Sequence, residues 1–333
     1  LWLDASRVHG YSGSSDGSIL NPSDGESVKA WVDLSGNNHH ASNVTSTVKF
    51  REDYFGNSED NNHVIDLISS GSNDNATDFL DILNMSSQDD KDMTIFIIFD
   101  PKNNHWDDYL LDARINMEDG SNGTTKYQIL DNAGNNPNLF KAMNSPNINF
   151  SALPVPLIVS IRTNSSSGDL LINGDPLYNN HSSIKPSGGE GVQRIRLGGP
   201  YMQNYPNSIE DHYGSNATVS EIIIFYEELS DSDVTAIQYY LSQKWELMEN
   251  MDSDGDGNVD NVDCTPLDGL DTNVFDCNGV CGGDAYEDLC GVCDDDSSND
   301  CAYQFATKEE LQTAVHLWVT NKENALSTYG EIN

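Results

Sequence analysis

Residues 252–263 read Asp-Ser-Asp-Gly-Asp-Gly-Asn-Val-Asp-Asn-Val-Asp, a run of carboxylates spaced for metal chemistry. Calcium takes about six to eight hard oxygen ligands on a flexible loop. Asp252, Asp254 and Asp256 fall at loop positions 1, 3 and 5, with Asp260 at 9 and Asp263 at 12. Gly257 stands at position 6, where a sharp turn needs a residue without a Cβ. Asn258 offers its backbone carbonyl at position 7. The spacing predicts a bound Ca²⁺; a solvated acidic linker has no reason to keep a glycine in that register. Cys264-Thr-Pro266 follows at once. Pro disfavours a continuing helix, so the loop is free-standing and not part of a helix–loop–helix pair.

The same stretch holds all six cysteines: Cys264, Cys277, Cys281, Cys290, Cys293 and Cys301. From Met251 to Cys301 there are 15 acidic residues and no Lys or Arg. A zinc site would use two close pairs, and Cys277/Cys281 with Cys290-Gly-Val-Cys293 supply them. A disulfide framework is the favoured reading. The segment has few apolar residues, and small modules without a core are usually stapled by disulfides. Six cysteines allow about fifteen connectivities, and pairing between neighbours is expected. Disulfides imply an extracellular, oxidising location. Asn-x-Ser/Thr sequons begin at Asn43, Asn75, Asn84, Asn122, Asn149, Asn164, Asn180 and Asn216, and several of them are expected to carry glycan.

Residues 252–264 resemble a thrombospondin type 3 calcium repeat, in which acidic loops alternate with cysteines. The stretch DCNGVCGGDAYEDLCGVCDDDSSNDC at 276–301 resembles the Cys-Gly-Asp spacer repeats of large secreted and surface proteins. The resemblance implies that ions replace much of a hydrophobic core. Asp284, Asp288, Asp294 and Asp296 are candidates for further ions, without a clean loop register.

Charge limits the partners. The 333 residues carry 54 acidic and 16 basic side chains, a formal net charge of −38. Nucleic acid is excluded as a partner, because its phosphates are neutralised by Lys and Arg. An anionic membrane surface is excluded on the same ground. No run approaches the length of about 18 apolar residues that spans a bilayer. Start and end, without a basic-then-apolar leader before Leu1 and with a break at Asn333, read as a processed chain or a segment of something longer.

Most of the chain must position rather than react. Apolar or alternating runs at 1–4, 29–33, 47–50, 93–99, 107–112, 126–130, 155–162, 169–173, 192–198 and 218–226 predict short strands. Thr94-Ile-Phe-Ile-Ile-Phe99 and Leu157-Ile-Val-Ser-Ile161 are the expected central strands. One helix follows, capped by Ser230 with Asp233 in the capping-box place. Its face of Val234, Ile237, Leu241 and Trp245 should lie on the sandwich. Trp2 and Trp31 are core candidates, and Asp33-Leu-Ser-Gly-Asn-Asn38 reads as a turn held by Asx hydrogen bonds.

Leu1-Trp-Leu-Asp-Ala-Ser6 and Val28-Lys-Ala-Trp-Val-Asp-Leu-Ser-Gly-Asn-Asn-His-His-Ala41 resemble the opening of a laminin G-like, concanavalin A-like lectin/glucanase domain. Ser220-Glu-Ile-Ile-Ile-Phe225 and Tyr240-Leu-Ser-Gln-Lys-Trp245 resemble its closing. The resemblance implies an all-β fold, a two-sheet jelly-roll sandwich with a C-terminal helix, over 1–248. The glucanase branch carries a Glu-x-Asp-x-x-Glu strand motif, which this chain lacks. Retaining glycosidases need two carboxylates about 5–5.5 Å apart. Asp107-Asp108 and Glu210-Asp211 are adjacent pairs, whose side chains would point to opposite faces of a strand. No catalytic residue is assigned and no enzyme is expected. Trp106, Tyr201, Tyr205 and Tyr213 are candidates for a sugar-binding surface or for an interface with another chain. His39-His40 reads as a solvated turn before it reads as a metal pair.

In residues 304–333, Thr307 caps a helix with Glu310, and Leu311, Ala314, Val315, Trp318 and Val319 form an apolar face. This unit resembles the start of the bacterial-surface-protein-A-like leucine-rich repeat family. The expected organisation is a jelly roll over 1–248, a calcium-binding, disulfide-rich spacer over 249–303, and a helical start of a repeat domain over 304–333. The expected function is that of a non-enzymatic extracellular structural or adhesive glycoprotein segment. Calcium would stiffen it within a surface or filament assembly of like or unlike chains. The alternative is a carbohydrate-binding lectin module, with a glycoside hydrolase third.

Overall fold

The computed structural model describes residues 1–10, 22–42, 48–52, 63–67, 79–83, 85, 92–101, 109–115, 124–130, 139–149, 155–186, 192–199, 215, 217–288, 291–297 and 305–329. The chain divides into two compact units, Leu1–Gly255 and Asp256–Asn333. The first is an all-β sandwich carrying one long helix.

Its strands are β1 (Trp2–Gly10), β2 (Val28–Asp33), β3 (Ala41–Ser42), β4 (Lys49–Arg51), β5 (Val64–Asp66), β6 (Leu80–Ile82), β7 (Met93–Pro101) and β8 (Tyr109–Ile115). They continue with β9 (Thr124–Leu130), β10 (Leu139–Ala142), β11 (Ile148–Asn149), β12 (Leu157–Thr163), β13 (Gly168–Ile172), β14 (Asp175–His181), β15 (Arg194–Leu197) and β16 (Ala217–Phe225). All pairings are antiparallel, in the order β11-β10-β9-β8-β15-β6-β3-β2-β1-β16-β7-β12-β13-β14, with β5 bonded to β16 and β4 to β5. β1 joins the two arms. Trp2–Asp4 pairs with β16, while Val8–Gly10 pairs with β2 after a register shift. Leu80, Ile82, Leu111, Ala113, Ile195 and Leu197 from one arm share a single core with Ile95, Ile97, Phe99, Val159, Ile161 and Ile222 from the other.

All ten expected runs contain strands, and β7 and β12 lie side by side within their arm. β7 is buried on both faces. Ile95, Ile97 and Phe99 enter the inner core, while Phe96 and Ile98 enter a second cluster outside it. That second cluster is made by α1 (Asp231–Lys244), which contributes Val234 and Leu241, followed by Trp245, Leu247 and Met251. Two-sided burial explains why β7 reads as a continuous apolar run rather than an alternation. Ser230 Oγ accepts from Asp233 N at 3.2 Å and donates to its carboxylate, as the capping reading requires.

Trp31 is fully buried. Trp2 is not a core residue. Strand alternation sends Leu3 inward and turns Trp2 to the opposite face, where Nε1 donates to Glu221 Oε1 at 2.6 Å. Glu221, 1% exposed, also accepts from Trp245 Nε1 at 2.6 Å and Lys244 Nζ at 2.7 Å, and Lys244 reaches Asp4 Oδ2 at 2.8 Å. The opening and closing segments of the sandwich are thus locked by one buried polar knot. Burial raises the Glu221 pKa, against the opposing pull of Lys244. Asp33 holds its turn as expected, accepting from the N–H groups of Trp2, Ser35 and His39 at 2.9–3.0 Å.

In the second unit Cys264 bonds to Cys281 and Cys277 to Cys293. The bridges interleave, so the expected neighbour pairing is wrong. A bridge from Asp263 to Val274 and another from Phe275 to Cys281 stack three passes of chain. This stacking brings Cys264 against Cys281, with a Cα separation of 5.5 Å. The hairpin of β17 (Tyr286–Glu287) and β18 (Cys293–Asp294) carries the second bridge. Cys290 and Cys301 lie outside the described residues. The helices α2 (Lys308–Thr320) and α3 (Lys322–Tyr329) close the unit, with Thr307 Oγ1 accepting from Glu310 N at 3.1 Å.

Candidate metal loop and polar groove

The acidic loop starts from a fixed point. Met251 is fully buried in the outer core. Asp252 N then donates to Asn173 O at 3.2 Å in the turn joining β13 to β14. Asn173 and Gly174 both have positive φ, 51° and 86°, which suits a two-residue Asn-Gly hairpin turn. A Cβ on Gly174 would sit 1.5 Å from the Asp252 carbonyl oxygen, so only glycine allows this approach.

Carboxylate oxygens of Asp252, Asp254 and Asp256 come within 4.8 Å of one another. Gly255 N donates to Asp252 Oδ1 at 2.8 Å, and Gly257 takes φ 101°, a left-handed turn at loop position 6. Asp260 and Asp263 are each 2% exposed but fall outside that group of three. Asp263 Oδ1 accepts from Thr265 N at 2.7 Å. Asn258 spans the loop, its N–H meeting Asp256 Oδ1 at 2.7 Å and its Nδ2 meeting Thr272 O at 3.2 Å. Three converging carboxylates, without sulfur or nitrogen donors, fit a hard divalent cation such as Ca²⁺. Among the described residues no second acidic, His or Cys group of three converges. Asp288 and Asp294 instead cap local turns, accepting from Val292 N and Asp296 N at 2.9 Å.

A polar groove of 620 Å³ opens beside the β13–β14 hairpin and α1. Arg162, Asp169, Asn180, Asp231, Gln238 and Asp254 are among its walls. Arg162 Nε donates to Asp169 Oδ2 at 2.9 Å and Nη1 to Leu229 O at 3.1 Å, and it also pairs with Asp231. Burial alone would lower the Arg162 pKa; its bonds to Asp169 and Asp231 outweigh that and raise it. This groove was not read from the sequence. Its one local signal was the Asn-Gly turn.

A second charged cluster was also missed. Asp81, Arg196 and Asp112 lie in register across β6, β15 and β8, on the face away from the inner core. Arg196, fully buried, meets Asp81 at 2.8 and 3.0 Å and stacks on Phe79 at 3.7 Å. Arg114 Nε pairs with Asp112 at 2.7 Å. Each carboxylate is held by an arginine, and Arg196 stands between them in the register.

Of the other expected site residues, Trp106, Tyr201, Tyr205 and Tyr213 lie outside the described residues, as do Asp107, Asp108, Glu210 and Asp211. So do the sequon residues Asn43, Asn75, Asn84, Asn122 and Asn216. Asn149 and Asn180 are exposed. Asn164 is engaged, donating to Glu228 Oε1 at 3.1 Å and accepting from Ser166 N at 2.9 Å. His40 Nδ1 accepts from Asp33 N at 3.0 Å within the turn.

No protein-family model matches the chain. No curated protein matches it. Among solved structures, it superposes on Trypanosoma rangeli sialidase in complex with sialic acid at 14% identity and TM-score 0.41, over 73% of this chain and 32% of that one. The binding domain of botulinum neurotoxin serotype G superposes at 14% identity and TM-score 0.41, over 63% of this chain and 48% of that one. The binding domain of Paraclostridial Mosquitocidal Protein 1 gives 14% and 0.41, over 71% and 53%. The chain spans about a third of the sialidase and about half of each toxin domain.

Proposed function

We propose that this chain is a non-enzymatic extracellular structural or adhesive segment whose acidic loop holds Ca²⁺. The convergence of Asp252, Asp254 and Asp256 carries the reading. Without a cation, three carboxylates within 4.8 Å repel one another. The interleaved disulfides of a coreless segment support an oxidising location. The resemblances to laminin G-like, thrombospondin type 3 and bacterial-surface-protein-A-like modules fit a stiff surface component built with other chains. The non-enzymatic part of the reading rests on the sequence, which lacks the Glu-x-Asp-x-x-Glu strand motif of the glucanase branch.

Calorimetric titration of the full chain with CaCl₂ tests the loop. One saturable site is expected, weakened at least tenfold by the paired change D254N/D256N. Chelation should speed proteolysis within 256–297 and leave the sandwich fragment intact. Equal resistance with and without chelator defeats the calcium reading. Turnover of any polysaccharide that is lost on changing one carboxylate defeats the non-enzymatic one. The second reading, a glycan-binding module, is favoured by the polar groove beside α1.

A further inference from the structure

The groove beside α1 is built from groups that both give and take hydrogen bonds. Gln238 is 1% exposed, and its Nε2 donates to Ser160 Oγ at 3.0 Å. Its Oε1 has no hydrogen-bond partner. A buried acceptor left in this state destabilises the fold unless water or a ligand meets it. Asn180 stands on the opposite wall in a left-handed conformation, φ 50°, its N–H bonded to Asp169 Oδ1 at 2.6 Å and its Oδ1 accepting from Ser167 Oγ. The hairpin wall is therefore ordered by its own bonds before any ligand arrives.

Charge and shape narrow the ligand. Among the described residues, Asp169, Glu228 and Asp231 line the groove against a single cationic side chain, Arg162, and two of these three carboxylates are already bonded to it, while Asp254 in the same wall belongs to the proposed ion loop. Anionic ligands are therefore repelled. Amides and hydroxyls dominate the remainder, with Val234 and Leu171 as small apolar patches. This mixture matches a sugar, whose hydroxyls donate and accept and whose ring presents C–H faces. The volume of 620 Å³ lies inside the range of about 300–1,000 Å³ usual for small-molecule sites.

We propose that this groove, walled by Gln238, Thr235, Asn180 and Asp169, is a binding site for an uncharged glycan end. The proposal rests on the glycan-binding reading above and gives it a place. Saturation-transfer NMR on the full chain, with methyl glycosides of galactose, glucose, mannose and N-acetylglucosamine, provides the probe. At least one should bind, while methyl glucuronide should not. T235K places a long cationic chain in the groove from an existing helix position. It should weaken binding at least tenfold with an unchanged thermal midpoint, and N180D, which keeps a short side chain in the turn, serves as a second variant. No binding by any neutral glycoside overturns both the groove and the glycan reading. Binding that is unchanged in both variants keeps the glycan reading and overturns the groove. A lysine-rich peptide bound in place of any sugar overturns the ligand class. An N-glycan found on Asn180 of the native protein also overturns the site, because it would fill it.

Discussion

The sandwich and the disulfide-bonded unit solve the same problem with opposite means. In Leu1–Gly255 an inner core and an outer core under α1 bury apolar side chains on both faces of β7 and β12. In Asp256–Asn333 the buried apolar residues, among those described, are Ala314 and Ala325. Leu267, Leu270, Val274, Phe275, Val280 and Val292 all stay at least 40% exposed there. Asx turns at Asp256, Asp271, Asp276 and Asp294, two covalent bridges and, in our proposal, an ion take the place of a core. The contrast shows why the two regions should answer to different perturbations.

The largest expected effect breaks the sandwich and spares the other unit. Trp245 is 1% exposed, fills the outer core and donates to Glu221. Trp245→Ala removes the ring and leaves a buried carboxylate short of one donor. A loss of about 3–5 kcal/mol is expected from the cavity alone. Urea unfolding followed through the remaining tryptophans should show it, with the midpoint indifferent to reductant. A loss below about 1 kcal/mol would mean that α1 is an appendage and not part of the fold.

The converse perturbation is Cys277→Ser. The Cys277–Cys293 bridge closes a loop with a sequence separation of 16. Loops of that size contribute about 3 kcal/mol by restricting the unfolded chain. Hydrogen exchange should rise across residues 276–294 and remain unchanged in β7 and β12. Equal protection before and after would show that this unit has an unrecognised core, and the comparison would collapse.

The sequence was most legible where one residue type had one local reason. Ser230 and Thr307 cap helices because their hydroxyls reach N–H groups three residues on. Asp33 and Gly257 of the acidic loop were readable for the same reason. The unread strands failed on physical grounds. β5 and β6 are three residues long and wholly buried, too short to show a period. β14 is an edge strand, Asp-Pro-Leu-Tyr-Asn-Asn-His, mostly exposed and holding a proline that an edge tolerates. Disulfide pairing depends on which passes of chain stack, and Cys spacing does not encode that. The groove and the Asp81–Arg196–Asp112 row are cross-strand facts, invisible to a scan along one strand.

The smallest effect concerns Asp33, and it sharpens the contrast through pH. Burial would raise its pKa, but donors from Trp2, His39 and Ser35 outweigh burial and hold it below the usual value of 3.8. A carboxyl with a lowered folded-state pKa binds fewer protons in the fold than in the unfolded chain. Its contribution is therefore fully present above the unfolded value and is lost as pH falls through the folded one. Asp33→Asn keeps the shape and removes the charge. The variant should melt lower than the parent at pH 6, and the two should converge as pH falls below 3.8. Thermal melts of the sandwich signal between pH 2 and pH 6 would follow this. A constant gap across that range would show that Asp33 acts by shape alone, and that the turn joining β2 to β3 draws nothing from charge.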